Sequence, residues 1–84
     1  MKVLEIPMNP DIPHSKAEFE LFGQSLIFEF ELIEREGYRV LHVYDSEEQP
    51  LHLGIRLIPR LPLFKHKNVE LMMLDDNLIA YEAV

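Results

Sequence analysis

From Ala17 to Leu32 apolar and charged residues alternate with a period of two. Phe19 and Leu21 alternate with Glu18 and Glu20, and Leu26, Phe28, Phe30 and Leu32 with Glu29 and Glu31. This period marks strands with one buried face. Gly23-Gln24 interrupts it and predicts a two-residue hairpin turn, with Gly at the first central position as a II′ turn requires. With Phe22 and Ser25 flanking that turn, Leu21 opposes Leu26, Phe19 opposes Phe28 and Ala17 opposes Phe30, all on one face. The other face pairs Lys16 with Glu31 and sets Glu18 against Glu29. A helix over 15–22 competes, with Ser15 as N-cap, Glu18 completing a capping box and Gly23 ending it. The alternation that continues beyond Gly23 favours strands.

A charged turn, Glu34-Arg35-Glu36-Gly37, leads into a third strand over 38–44. Either Tyr38, Val40 and Tyr44 or Leu41 and Val43 face the core there. Beyond the polar loop at 45–50, a fourth strand over 51–58 puts Leu51, Leu53, Ile55 and Leu57 on one face, and Gly54 within it marks a bulge or a close backbone approach. The stretch 59–62, with a proline at each end, interrupts pairing. Strands over 69–74 and 78–82 follow, joined by a tight turn at Asp75-Asp76-Asn77. No window longer than about ten residues keeps a helical period. The predicted fold is all-β: a small antiparallel barrel or sandwich of about six short strands. Pro7, Pro10 and Pro13 bias the N-terminal residues to extended backbone. This gives an extended Pro-rich arm over 1–16 and a single all-β domain over 17–84.

Length sharpens this picture. With 84 residues the chain fits one domain, with a radius of gyration of roughly 12 Å. Such a domain buries only about 60 % of its unfolded surface and is marginally stable alone. No cysteine is present to staple it, so the expected staple is a partner chain. A net charge of −7 makes specific nucleic-acid binding and docking on an anionic membrane unfavourable. At 48 % hydrophobic residues the chain is too apolar for a disordered acidic tail. No apolar run is long enough for membrane insertion, and no signal peptide is expected in MKVLEIPMNPDIP.

Catalytic chemistry finds little support. His14, His42, His52 and His66 match no metal-ligand spacing, and scattered strand histidines explain them more simply. Glu18 and Glu29, opposed across the hairpin, have the separation of a glycosidase pair, yet a solvated or partner-facing strand face accounts for Glu18, Glu20, Glu29 and Glu31 together. Ser15, Ser25 and Ser46 sit in no nucleophile elbow. The three glycines form no phosphate loop, and Asp75-Asp76-Asn77 lacks the Gly and distal Glu of a calcium loop. No catalytic residue, metal or cofactor is expected. One charge feature stands apart. No acidic residue occurs between Glu48 and Glu70, whereas Arg56, Arg60, Lys65 and Lys67 do. This basic stretch is suited to the acidic face of a neighbouring subunit, with Leu61, Leu63 and Phe64 as apolar anchors.

The order of motifs resembles the small baseplate plug proteins of contractile-tailed phages, of the cyanophage type. The resemblance is carried by Ile6-Pro7, Ile12-Pro13, Phe19-x-Leu21-x-Gly23-Gln24 and Phe28. It continues through Gly37, Leu41-x-Val43-x-Asp45, Pro50-Leu51, Gly54-x-x-Leu57 and Pro62-Leu63, across most of the chain. It departs from the family, which often has an aromatic near Arg39, in having no Trp and a charged stretch after Leu63. The resemblance implies a non-enzymatic structural role at the baseplate centre, within the virion, for a protein made in the bacterial host cytoplasm. The implied partners are hub, wedge and tube-end subunits, with several copies in a symmetric assembly. It also implies an arm, including Ile6, Pro7, Ile12 and Pro13, lying on a neighbour, and an acidic face that repels passing DNA. The alternative is a free-standing β-rich adaptor that binds a partner by strand addition along an exposed C-terminal strand over 78–84.

Overall fold

The alternating segment forms the hairpin of β2 (His14–Leu21) and β3 (Gln24–Ile33) in a computed structural model that describes residues 2–8 and 11–82. Its turn is one residue earlier than expected. Leu21 pairs with Gln24, so Phe22 and Gly23 are the central residues, and both have positive φ, 53° and 84°. That is the backbone of a type I′ turn, which matches the right-handed twist of the strands. Positive φ costs a non-glycine residue about 1–2 kcal/mol. At Phe22 this cost is opposed by packing of the ring against the core and by the Asn68 side-chain amide, which donates to its carbonyl at 3.0 Å.

The correction moves every cross-strand partner by two residues. Phe19 opposes Leu26, Ala17 opposes Phe28, Lys16 opposes Glu29, and Glu18 opposes Ile27. A two-residue shift keeps each side chain on its face, so Leu26, Phe28 and Phe30 still point inward and are buried. Phe28 meets Phe19 at 5.5 Å and Phe30 edge-on at 6.4 Å between ring centroids. No helix forms over 15–22.

The other strands are β1 (Val3–Ile6), β4 (Tyr38–Asp45), β5 (Pro50–Arg56), β6 (Pro62–His66), β7 (Val69–Leu74) and β8 (Asn77–Glu82). They make two four-stranded antiparallel sheets, β1-β8-β7-β6 and β2-β3-β4-β5. The fold is all-β, as expected, with β1 and β6 added to the six predicted strands. Each sheet has its own ladder, and one core joins them: Phe28, Leu41, Val43 and Ile55 of the second sheet pack with Val69, Leu71, Leu78 and Ala80 of the first. The architecture is therefore a sandwich, with a radius of gyration of 12.1 Å.

Leu41 and Val43 resolve the open orientation of β4, both facing the core. The bulge expected at Gly54 is present. Its φ is +73°, and the β4–β5 register shifts between Leu41 and Val43. The same bulge turns Leu53 outward, so Leu51, Leu53, Ile55 and Leu57 do not share one buried face. Asp45 organises the next loop, its carboxylate accepting from the amides of Glu47 and Gln49 at 2.9 Å each. Asp75-Asp76 is a two-residue turn between Leu74 and Asn77.

Part of the segment expected as an arm is built into the sandwich. Val3–Ile6 pairs with β8 from Val3 opposite Tyr81 to Ile6 opposite Leu78, and residue 16 lies inside β2. Pro10 lies outside the described residues. The C-terminal strand is not an edge, because β8 is paired on both sides; Ala83 and Val84 lie outside the described residues.

Candidate interaction surfaces

The outer face of the second sheet is cross-linked by its own side chains. Alternation places His14, Lys16, Glu18 and Glu20 of β2 there, with Ile27, Glu29 and Glu31 of β3 and Val40, His42 and Tyr44 of β4. Glu29 is central. The Tyr44 hydroxyl donates to it at 2.7 Å, and His14 Nε2 lies 2.5 Å from its other oxygen. The bond from Tyr44, then that from His14, holds the Glu29 carboxyl below its ordinary pKa. Reciprocally, donation to Glu29 raises the Tyr44 phenol. His42 Nδ1 accepts from the Gly54 amide at 2.9 Å, which leaves Nε2 to donate to Glu31 at 3.3 Å and ties the bulge of β5 to β4. Lys16 pairs with Glu48 and lies 5.1 Å from the centre of the Tyr44 ring. Beneath this layer Ile27 and Val40 are buried.

This arrangement does not assemble an acid–base site. Glu18 opposes Ile27, so the Glu18–Glu29 pair is absent. The histidines divide into His14 and His42 on this face and His52 and His66 against the Phe64 ring. Among the described residues no cluster of three or more His, Asp or Glu is placed to hold a metal ion.

The outer face of the first sheet has the opposite chemistry. Inward residues Val69, Leu71, Met73, Leu78 and Ala80 alternate with outward Glu70, Met72, Leu74, Ile79 and Tyr81. The pairing sets Val3, Tyr81 and Glu70 in one row and Glu5, Ile79 and Met72 in the next. Strands apolar on both faces are characteristic of sheets covered on both sides, and here only the inner side is covered.

The residues expected to meet partners divide between surface and core. Ile6 and Phe64 are buried, because each occupies an inward position of its strand, and neither is available as an anchor. Leu63 is half-buried against the core. Pro7, Ile12, Pro13 and Leu61 are exposed; the Pro13 carbonyl accepts from Leu32 at 2.7 Å and the Ile12 carbonyl from Arg39 at 3.1 Å. Arg56 stacks on the Tyr38 ring at 4.1 Å, and Arg60 pairs with Asp75 at 3.3 Å. Lys65 stands opposite Glu70, and Lys67 occupies the turn into β7 with φ 53°. The sequence reasoning overlooked the row of Met72, Ile79 and Tyr81. Its signal was the scarcity of polar residues through Leu71-Met72-Met73-Leu74 and Leu78-Ile79-Ala80-Tyr81.

Residues 3–83 match the family described as cyanophage baseplate Pam3 plug gp18. The chain belongs to this family. No curated protein and no solved structure matches it. The match spans β1 to the end of β8, so both sheets and both outer faces belong to the family's shared region. Membership indicates a viral structural protein of the tail baseplate, in contact with other baseplate proteins. This is the family that the motif order resembled.

Proposed function

We propose that the chain is a non-catalytic plug in the central hub region of a contractile tail baseplate. It acts through protein–protein contacts alone, among hub, wedge and tube-end subunits, in several copies, after synthesis in the host cytoplasm. The observation that carries this reading is the apolar outer face of β1, β8 and β7, with Val3 and Leu74 exposed and Met72, Ile79 and Tyr81 half-buried. Such a face gains stability when a neighbour removes it from water, at about 25 cal/mol per Å² of apolar surface. A photo-crosslinking residue at Ile79, carried into assembled particles, tests it. The expected product joins the chain to a different baseplate protein; an Ile79 facing solvent in the particle overturns the reading.

The acidic outer face of the second sheet is the part of this plug that we assign toward the DNA path. Glu29 and Glu31 stand on it along β3, inside the β2 edge, and like charge keeps phosphate from adhering. A particle in which that face is turned away from DNA refutes the assignment.

A further inference from the structure

The two lateral sides of the sandwich are complementary. The edge strands β5 and β6 meet across the two sheets, and β1 and β2 are the opposite edges of the same sheets. Among the described residues, six of the seven large exposed hydrophobics lie at these sides: Val3, Leu4 and Ile12 on the β1/β2 side, Leu53, Ile58 and Leu61 on the β5/β6 side, each 41–57 % exposed. Exposed apolar side chains concentrated at two places on a small domain mark contact surfaces. Their charges differ in sign. The β1/β2 side presents Glu5, Glu18 and Glu20, all exposed, with Lys2 and Lys16 among them, and is acidic on balance. The β5/β6 side presents Arg56, Arg60, Lys65 and Lys67, within a stretch that contains no acidic residue from Pro50 to Val69; Arg60 pairs with Asp75 and Lys65 stands opposite Glu70, which leaves a basic excess.

We propose that copies of this chain join head to tail, the acidic β1/β2 side of one against the basic β5/β6 side of the next. The proposal supplies the contact for the multi-copy part of the baseplate reading and rests on that reading for its setting. Opposite charges around apolar contacts register the two sides and exclude the reversed pairings, acidic on acidic and basic on basic. Because the two surfaces differ, the contact is heterologous and generates a ring or a filament rather than a two-fold dimer. Side chains carry it rather than an added β-ladder. Pro50, Pro59 and Pro62 lack amide donors, and the Gly54 bulge bends the β5 edge away from regular pairing. Self-association through the outer face of the first sheet is disfavoured, because it would bring Glu5 and Glu70 against their own copies with Lys65 as a single countercharge.

Sedimentation of the purified full chain, at millimolar concentration and low salt, tests this. The expected mass is a multiple of 9.9 kDa that falls as salt screens the contact. Arg56→Glu with Arg60→Glu, and separately Glu18→Lys with Glu20→Lys, should each weaken association by about tenfold or more. An equimolar mixture of the two variants should restore it, since each reversed side then meets a complementary one. Restoration excludes misfolding as the cause of the loss. A wild-type chain that stays at 9.9 kDa, variants that associate unchanged, or a mixture that does not recover each overturn the proposal. None of these results touches the crosslink at Ile79 in the particle, which judges the baseplate reading separately.

Discussion

The two outer faces of this sandwich solve the same problem differently. On the second sheet, Ile27 is 9 % exposed although it points away from the core, because the side chains around it interlock over the surface. Glu29 accepts from Tyr44 and contacts His14, and His42 bridges Glu31 and the Gly54 amide. On the first sheet, Met72, Ile79 and Tyr81 occupy equivalent outward positions with no such layer above them. Both sheets are four-stranded and antiparallel, so the difference comes from residue chemistry at alternate positions. One face is finished within the chain, and the other is the one we propose a neighbour finishes. A small domain that leaves one face apolar gives up solubility as a monomer and gains a driving force for assembly.

The comparison requires that one core support both faces. Phe28→Ala removes the largest fully buried side chain and should cost about 3–5 kcal/mol, enough to unfold a marginal domain. Both sheets should be lost in one transition, followed by circular dichroism and by amide hydrogen exchange in each sheet. A first sheet that survives while the second melts would break the comparison, since the faces would then belong to separate units.

Ile27→Ala tests the finished face. Its side chain is covered by the polar layer, so truncation should cost about 2 kcal/mol in urea unfolding, at the low end for a buried isoleucine. A cost near zero would mean that the layer leaves Ile27 effectively in water, and the contrast with Ile79 would disappear.

How much of this was legible in the residues depended on local signals. The β2–β3 alternation revealed its inward face although the turn was misplaced, because the error was two residues and faces repeat every two. The turn itself was misread because Phe22 is an unusual residue at positive φ; its tolerance comes from Asn68 and the core, 46 positions distant. β1 and β6 escaped notice because they are short and flanked by proline; β1 is created by pairing with distant β8, and β6 by a short hairpin with β7. For the same reason Ile6 and Phe64 read as surface anchors and are core. Leu53 followed the period until Gly54 turned it outward. The basic stretch was legible from charge alone, but its partial neutralisation by Asp75 and its stacking on Tyr38 required tertiary structure.

Glu29→Gln sharpens the account of the finished face through its pH dependence. The folded carboxyl titrates below its ordinary value of 4.5. Its stabilisation is therefore fully present above that value and is lost as pH falls through the lowered one. Glu29→Gln should cost about 1 kcal/mol near neutral pH and should flatten the acid limb of stability against pH. An acid limb as steep as the wild type's would remove Glu29 from the centre of the layer. Tyr44→Phe should flatten the same limb in part, because the Tyr44 hydrogen bond is the largest cause of the lowered value.

The smallest effect on the isolated chain, and the one that separates the faces most cleanly, is expected at Ile79. It is half-buried and its outward side meets no covering layer, so Ile79→Gln should change unfolding stability by no more than about 0.5 kcal/mol. The same substitution should sharply reduce incorporation into particles, measured by quantifying the chain in purified tails. A polar amide in a dry protein contact keeps an unmet desolvation cost of about 1–3 kcal/mol. The pairing of a near-silent monomer with a failed assembly is what distinguishes a face awaiting a neighbour from an ordinary solvated one. Normal incorporation of Ile79→Gln would place the contact elsewhere, and the apolar row of β7 and β8 would lose its claim to it.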